Sequence, residues 1–139
     1  MFKCIFLLFC FHTVINCGDL NSDFAECCKI KNIPEGCIQY CTYDIHDIFK
    51  RSRHEAKSLA AASNAVDECS TLEVVAPYIQ CLQKGKDNRE CCKSGGVDSV
   101  FSYCLDLCDG TRPISGIEIY RKCQLEGIKD LTVKCGKNA

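Results

Sequence analysis

Cysteine offers more chemistry than any other residue type in this chain, and its spacing repeats. Thiols in such numbers and at patterned spacings either pair as disulfides or bind a metal such as zinc. Which of the two applies depends on the compartment that the chain enters. Two blocks share one order: Cys27-Cys28-x8-Cys37-x3-Cys41 and Cys91-Cys92-x11-Cys104-x3-Cys108.

The first seventeen residues have the order of a secretory signal peptide. Lys3 precedes an apolar run that is too short to cross a bilayer as a helix, and a short polar tail ends at Cys17. We therefore expect a signal peptide at 1–17, cleaved close to Gly18, and a single secreted domain at 18–139 with no membrane span. An uncleaved anchor is the alternative.

Removal of the leader leaves an even number of cysteines. Three of the 15 cysteines lie in the leader, so twelve remain. Thiols that enter an oxidising compartment pair with one another, which favours six disulfides over a zinc site. We expect no metal, no cofactor and no free thiol in the mature chain. The predicted bridge residues are Cys27, Cys28, Cys37, Cys41, Cys69, Cys81, Cys91, Cys92, Cys104, Cys108, Cys123 and Cys135.

Helix geometry limits how these cysteines pair. The Cβ atoms of residues four apart on a helix are about 5–6 Å apart, whereas a bridge needs about 3.5–4.5 Å. Cys37 should therefore not bond to Cys41, nor Cys104 to Cys108. Adjacent cysteines are also poor partners, so each Cys-Cys pair should divide its bonds between different elements. The full connectivity stays open at this point.

Hydrophobic periodicity favours an all-α fold, a small disulfide-rich helical domain with two pseudo-repeated halves. The clearest helix runs from Asp44 to Ala65, with an apolar stripe along one side. A second helix starts at a possible capping box, Ser70-x-x-Glu73, and should kink or restart at Pro77. No segment combines strand alternation with a hairpin turn.

Two more helices are predicted in the second half. One follows Gly95-Gly96 and stops at Gly110, and the other runs from a capping box at Ser115 to Gly127. Their predicted inward residues are Val97, Val100, Phe101, Cys104, Leu105 and Cys108 in one, and Ile119, Tyr120 and Cys123 in the other.

An enzyme is not expected. The pair His46-Asp47 invites comparison with secreted calcium-dependent phospholipases, but it lacks the two-cysteine flank and the preceding glycine-rich calcium loop of that family. A dyad with no electrophilic partner cannot stabilise an oxyanion. The pair is better interpreted as polar residues in the first turn of a helix, where Asp47 favours the positive end of the dipole. A Gly-x-Ser-x-Gly elbow is also absent.

Charge points to a protein partner. After the leader, 16 Lys+Arg face 18 Asp+Glu, and a net charge of −2 disfavours bulk binding to nucleic acid or anionic membranes. One local basic face is nevertheless predicted, opposite the apolar stripe of the Asp44 helix. We regard it as a candidate interaction surface for an acidic partner, the alternative being a solvated helix face. Its residues are Lys50, Arg51, His54 and Lys57.

The cysteine order and the intervening Cys69 and Cys81 resemble the DB domain of nematode secreted proteins, from about Cys27 to Cys135. The same holds for the phrase Cys91-Cys92-Lys-Ser-Gly-Gly-Val…Cys104-x3-Cys108-Asp-Gly. The resemblance implies an extracellular module with six disulfides, found alone or beside immunoglobulin-like and fibronectin-like domains. That family has no established biochemical activity, so it supplies no catalytic residues.

These observations lead us to expect a secreted cysteine-rich domain with a binding or structural role in the extracellular space. A small-ligand or lipid carrier is the first alternative, because helical disulfide-bonded folds can enclose an apolar cavity. A secreted inhibitor or effector is the second.

Overall fold

The computed structural model describes residues 18–44, 68–124 and 127–139. Within these ranges the chain forms five α-helices and two 3₁₀ helices, and an isolated bridge between Asp87 and Asp109 is the one β-type pairing. The all-α fold class is confirmed. In chain order the elements are α1 (Leu20–Ile30), α2 (Glu35–Ile38), α3 (Leu72–Leu82), α4 (Arg89–Ser94), η1 (Ser102–Cys108), η2 (Glu118–Gln124) and α5 (Ile128–Lys137).

The six disulfides divide the chain into an N-half, residues 18–83, and a C-half, residues 84–139. Each half pairs its own six cysteines in one order: first with sixth, second with fourth, third with fifth. The twelve cysteines of the described chain are used up in this way, so none of them bridges the two halves. The bridges are Cys27–Cys81, Cys28–Cys41 and Cys37–Cys69, then Cys91–Cys135, Cys92–Cys108 and Cys104–Cys123.

The pairing follows the limits set by helix geometry. Neither Cys-x3-Cys pair closes on itself, and each adjacent pair sends its two bonds to different elements. Cys27 reaches α3, for example, whereas its neighbour Cys28 reaches Cys41 after α2.

The two Cys-Cys pairs lie on helices that end in the same way. In both, the backbone amide five residues after the second cysteine donates to that cysteine's carbonyl, across one residue of positive φ. This is the hydrogen bond of a Schellman ending, which needs a left-handed residue just past the helix. The amide–carbonyl pairs are Ile33–Cys28 (3.0 Å) and Val97–Cys92 (3.2 Å), and the positive-φ residues are Asn32 (58°) and Gly96 (116°).

Each half has its own core, built around its bridges. In the N-half the ring of Phe24 lies 4.9 Å from that of Tyr43 and 5.3 Å from that of Tyr78. The C-half core gathers Val97, Ile114, Tyr120 and Ile128 around its buried cysteines. Helix α3 serves both, because its Ala76 packs into the C-half core although the helix belongs to the N-half.

Helix α3 runs from Leu72 to Leu82 with Pro77 inside it, so the predicted restart at Pro77 is wrong. The helix also begins at Leu72 after Thr71, not at the predicted Ser70 cap. Proline removes one backbone donor and costs stability in a helix interior. Burial on both sides of it holds the helix together here, since Val74, Ala76, Ile79, Cys81 and Leu82 are all buried.

The third and fourth predicted helices are shorter than expected and of the 3₁₀ type. A 3₁₀ helix has three residues per turn, so positions three apart share a face. Tyr120 and Cys123 accordingly point inward in η2, while Ile119 is 55% exposed. Val100 lies before η1 and is 71% exposed. The predicted inward placement of Val100 and Ile119 is therefore wrong.

Helices α1, α2, α4 and α5 are not among the four predicted helices. Gly127, predicted to end the fourth helix, instead precedes α5 with φ of 72°, and the fourth element starts at Glu118, three residues after its predicted Ser115 cap. Ile128, Thr132 and Cys135 recur at helical spacing on the buried side of α5. Among the residues with described structure, none of the helices is both long and apolar enough to cross a bilayer.

Candidate functional site

The predicted basic face lies outside the described residues. This applies to Lys50, Arg51, His54 and Lys57, to the pair His46-Asp47, and to most of the predicted Asp44–Ala65 helix. The basic face therefore stays a prediction.

An arginine–aspartate cluster lies on the C-half, where sequence reasoning found no site. Asp87 and Arg89 lie at the start of α4, Asp106 on η1, and Asp109 and Arg112 in the loop that follows. The Cys92–Cys108 bridge brings α4 next to that loop. We refer to these five residues as the Arg–Asp cluster.

Asp109 is the centre of the Arg–Asp cluster, and its side chain is only 3% exposed. It accepts hydrogen bonds from the Thr111 hydroxyl (2.5 Å) and the Thr111 amide (3.0 Å). The guanidinium Nε of Arg112 lies 3.0 Å away and that of Arg89 3.8 Å away. The Thr111 hydroxyl is the main reason that the pKa of Asp109 falls below its ordinary value, although burial opposes this. The carboxylate is therefore charged and fully partnered.

Asp87 holds Arg89 in place through a two-point contact. Arg89 Nε lies 2.8 Å from Oδ1 of Asp87, and Nη2 lies 2.6 Å from Oδ2. The hydrogen bond from Arg89 lowers the pKa of Asp87 from 3.8 to about 2. A solvent-exposed pair of this kind adds little net stability. Its effect is to fix the direction of the guanidinium towards Asp109.

Asp106 connects the two 3₁₀ helices. The Tyr120 hydroxyl donates to its Oδ2 (3.0 Å), and Arg112 Nη2 lies 3.4 Å from its Oδ1. Burial, followed by this hydrogen bond, raises the pKa of Tyr120 to about 12. Tyr120 is thus a neutral donor at any physiological pH.

The Arg–Asp cluster is suited to charge-assisted hydrogen bonding and not to proton transfer near neutral pH. The lowered pKa values of Asp87 and Asp109 and the raised pKa of Tyr120 all lie far from 7. The described part of the chain also contains no group of three or more His, Cys, Asp or Glu arranged to hold a metal. One local signal could have indicated the site: Asp109-x-Thr111 fits an aspartate that bonds the amide two residues on.

The Arg–Asp cluster predicts a specific acid dependence. Because folding lowers the pKa of Asp109, the stabilisation by this carboxylate is fully present above the ordinary value of 3.8 and is lost as the pH falls towards the folded value. The exposed carboxylate of Asp87 adds little to this effect, because solvent screens its pair with Arg89. Asp109→Asn should lower the free energy of unfolding at pH 7 by about 1–3 kcal/mol, since Arg89 and Arg112 lose their buried partner.

Denaturant unfolding from about pH 7 to about pH 2 measures this effect, which should shrink with acidification. Asp130→Asn, at an exposed position on α5, is the matched control and should follow the wild-type profile. A constant difference between Asp109→Asn and wild type at every pH would contradict the charge-based account.

Some large apolar side chains stay in contact with solvent. Ile30 at the end of α1 and Val100 before η1 are each 71% exposed, and Ile119 on η2 is 55% exposed. Cys27–Cys81 and Cys28–Cys41 anchor α1, and Cys104–Cys123 joins η1 to η2. Ile30 and Ile119 are therefore held on cross-linked elements, and Val100 lies next to one.

Comparison with known proteins identifies one family. A family model described as the DB module matches residues 51–135, which include eight of the twelve bridge cysteines. No curated protein and no solved structure matched the chain. The match starts after the four cysteines of the first block, so it is shorter than the resemblance of the cysteine pattern, which begins at about Cys27. It still spans more than half of the 139 residues, and the protein therefore belongs to the DB module family.

Proposed function

We propose that the protein is a secreted binding domain that presents fixed surface residues to an extracellular protein partner and acts without catalysis. The observation that carries this proposal is the presence of six disulfides in a domain of about 122 residues. A DB module and such dense crosslinking are typical of extracellular domains. The signal-like residues 1–17 support secretion.

The frame suits recognition because it orders the surface before a partner arrives. Binding costs free energy for every side chain and loop that must be immobilised, and a crosslinked scaffold lowers that cost. Ile30 and Ile119 are large apolar side chains on such elements, and Val100 lies just before one of them. Apolar residues at the centre of a contact area are typical of protein–protein interfaces.

The basic residues Lys50, Arg51, His54 and Lys57 are the proposed contact for an acidic partner. The domain as a whole is slightly negative, so a local basic face would steer such a partner to one place. Charge complementarity acts mainly on the association rate. The proposal therefore predicts a kinetic effect more than a loss of folding.

Charge reversal tests the basic face. A partner is first captured from extracellular material with the oxidised protein, with the reduced protein as the blank. The triple variant Lys50→Glu, Arg51→Glu, Lys57→Glu should then slow association about 10-fold at low salt and weaken its salt dependence, because electrostatic steering is lost. Stopped-flow or surface-based kinetics measure both quantities.

A second triple variant controls for net charge. Lys29→Glu, Lys93→Glu and Lys134→Glu reverse three exposed lysines on α1, α4 and α5. Equal association rates for the two triple variants would rule out the basic face as the contact.

Mass spectrometry of the native protein tests the carrier alternative, and a stoichiometric bound lipid would overturn the binding-domain proposal.

A further inference from the structure

The two halves share more than their bridge order. The fifth and sixth cysteines are twelve residues apart in both, Cys69 to Cys81 and Cys123 to Cys135. The Cys-Cys helices end in the same Schellman hydrogen bond, and the sixth cysteine lies near the end of α3 in one half and of α5 in the other. Local structure and connectivity thus repeat together.

The contact between the halves is reciprocal. Leu82 and Gly136 are counterparts, because each follows the sixth cysteine of its half, and they meet each other: a Cβ on Gly136 would collide with the Leu82 carbonyl oxygen. In a twofold interface, residues near the axis meet their own equivalents. The contact between the ends of α3 and α5 has this property.

The residue after each of these positions, Gln83 or Lys137, also contacts the other half. Gln83 Nε2 donates to the carbonyl of Leu107, the residue before the fourth cysteine of the C-half (3.1 Å). The counterpart of Gln83 is Lys137, whose Nζ lies 3.7 Å from Oδ1 of Asp44. Asp44 is three residues after the fourth cysteine of the N-half. Each half therefore extends the end of its last helix to the same region of the other half, which is the pattern of an approximate twofold axis.

Among the described residues, the linker is the one covalent connection between the halves. The segment 84–88 connects them, and its first two residues, Lys84 and Gly85, have positive φ (54° and 64°) and are exposed. Net charge favours the pairing of unlike halves: the N-half has 6 Lys+Arg against 10 Asp+Glu, and the C-half has 10 against 8. Opposite net charges attract, so an N-half should prefer a C-half to another N-half.

We propose that each half is a self-contained six-cysteine unit, and that the α3–α5 junction is a recognition surface whose partner is the opposite unit. Within one chain that partner is the other half. Between chains it is the opposite half of a second copy, so two molecules can exchange units through the same contacts. Such exchange requires only that the junction open while the bridges stay closed.

Cleavage of the linker in the folded protein tests the proposal. A protease recognition sequence inserted between Gly85 and Lys86, both exposed, is cut after oxidation. A denaturing gel without reductant should show two separate fragments. The mass of each fragment should be the one expected when its six cysteines form three disulfides. Size exclusion under native conditions should show one species, because the junction holds the fragments together. Fragments that stay covalently joined without reductant would overturn the proposal.

Exchange between molecules tests the recognition step. Cut protein with an affinity tag on its C-half is mixed with untagged cut protein, and the tag should recover untagged N-half. Gln83→Met should weaken the recovered pair at least 10-fold, and Gln124→Met, at an exposed position of the C-half, should not.

The isolated fragments show whether each half stays folded alone and binds the other half on mixing. Each isolated half should keep its helical circular dichroism with its bridges closed and should recombine on mixing. Loss of helix in both halves, or no recovery of untagged N-half over several days, would refute the proposal.

Discussion

Reduction of the six disulfides is expected to unfold the protein at 25 °C. A bridge typically stabilises a fold by about 2–4 kcal/mol, mainly by restricting the unfolded chain, so six of them together match or exceed the total stability of about 5–15 kcal/mol of an average domain. The bridges here close loops with sequence separations from 13 to 54 residues, so none of them is trivial. Far-ultraviolet circular dichroism with a phosphine reductant should show loss of the helical signal.

A thermal scan of the protein without reductant provides the reference and should show a cooperative transition at high temperature. Alkylation after reduction keeps the thiols from pairing again. A fully alkylated chain that retained the native helical signal and a cooperative melt would show that the two cores suffice without crosslinks.

Gln83→Met is expected to lower the free energy of unfolding by about 2–5 kcal/mol, because several buried polar groups lose a partner at once. Gln83 is completely buried. Its Nε2 donates to the carbonyls of Leu107 and Thr132 (3.1 Å each), and its Oε1 accepts from Asn88 Nδ2 (2.8 Å). Methionine keeps roughly the same shape but offers none of these bonds. Urea unfolding of the oxidised protein measures the change.

Gln124→Met makes the same chemical change at an exposed position and should alter the free energy of unfolding by less than about 0.5 kcal/mol. The two variants could instead change the free energy of unfolding by amounts that differ by less than about 1 kcal/mol, roughly the strength of one ordinary hydrogen bond. That result would show that the carbonyls of Leu107 and Thr132 find other partners in Gln83→Met.

The disulfide framework was the part of the structure most accessible from sequence. Bridge geometry is strict and local, so spacing alone excludes pairing of Cys37 with Cys41 and of Cys104 with Cys108. The choice among the remaining partners was not accessible, because it depends on which helix ends meet in space. The actual order emerges only when α3 and α5 are placed against the Cys-Cys helices.

The helix predictions were wrong in elements whose structure depends on disulfides more than on helix propensity. The elements η1 and η2 are short, and both are anchored by buried cysteines, Cys104 and Cys108 in one and Cys123 in the other. Apolar residues three apart fit an α-helix and a 3₁₀ helix equally well, so periodicity could not separate them. The same anchoring explains α3, where Pro77 is tolerated because buried contacts lie on both sides of it.

The Arg–Asp cluster could not be predicted because its members are distant in sequence. Arg89 and Asp109 are twenty positions apart and meet only after Cys92–Cys108 closes the intervening loop. A sequence pattern shows the bond between Asp109 and Thr111 at most. Gln83 shows the same limit, since an isolated glutamine gives no sign that both halves will enclose it.

The unequal spacing within the two halves indicates where this fold can accept change. The fourth and fifth cysteines are 28 positions apart in the N-half, Cys41 to Cys69, but 15 apart in the C-half, Cys108 to Cys123, and yet both halves close the same bridges. Doubling a loop costs only about 0.6 kcal/mol of closure entropy. Foreign peptides grafted between these two cysteines should therefore be displayed without redesign of the frame. Lys50, Arg51, His54 and Lys57, the contact residues of the proposed function, lie in that interval, so this proposal places the variable part of the chain apart from its scaffold.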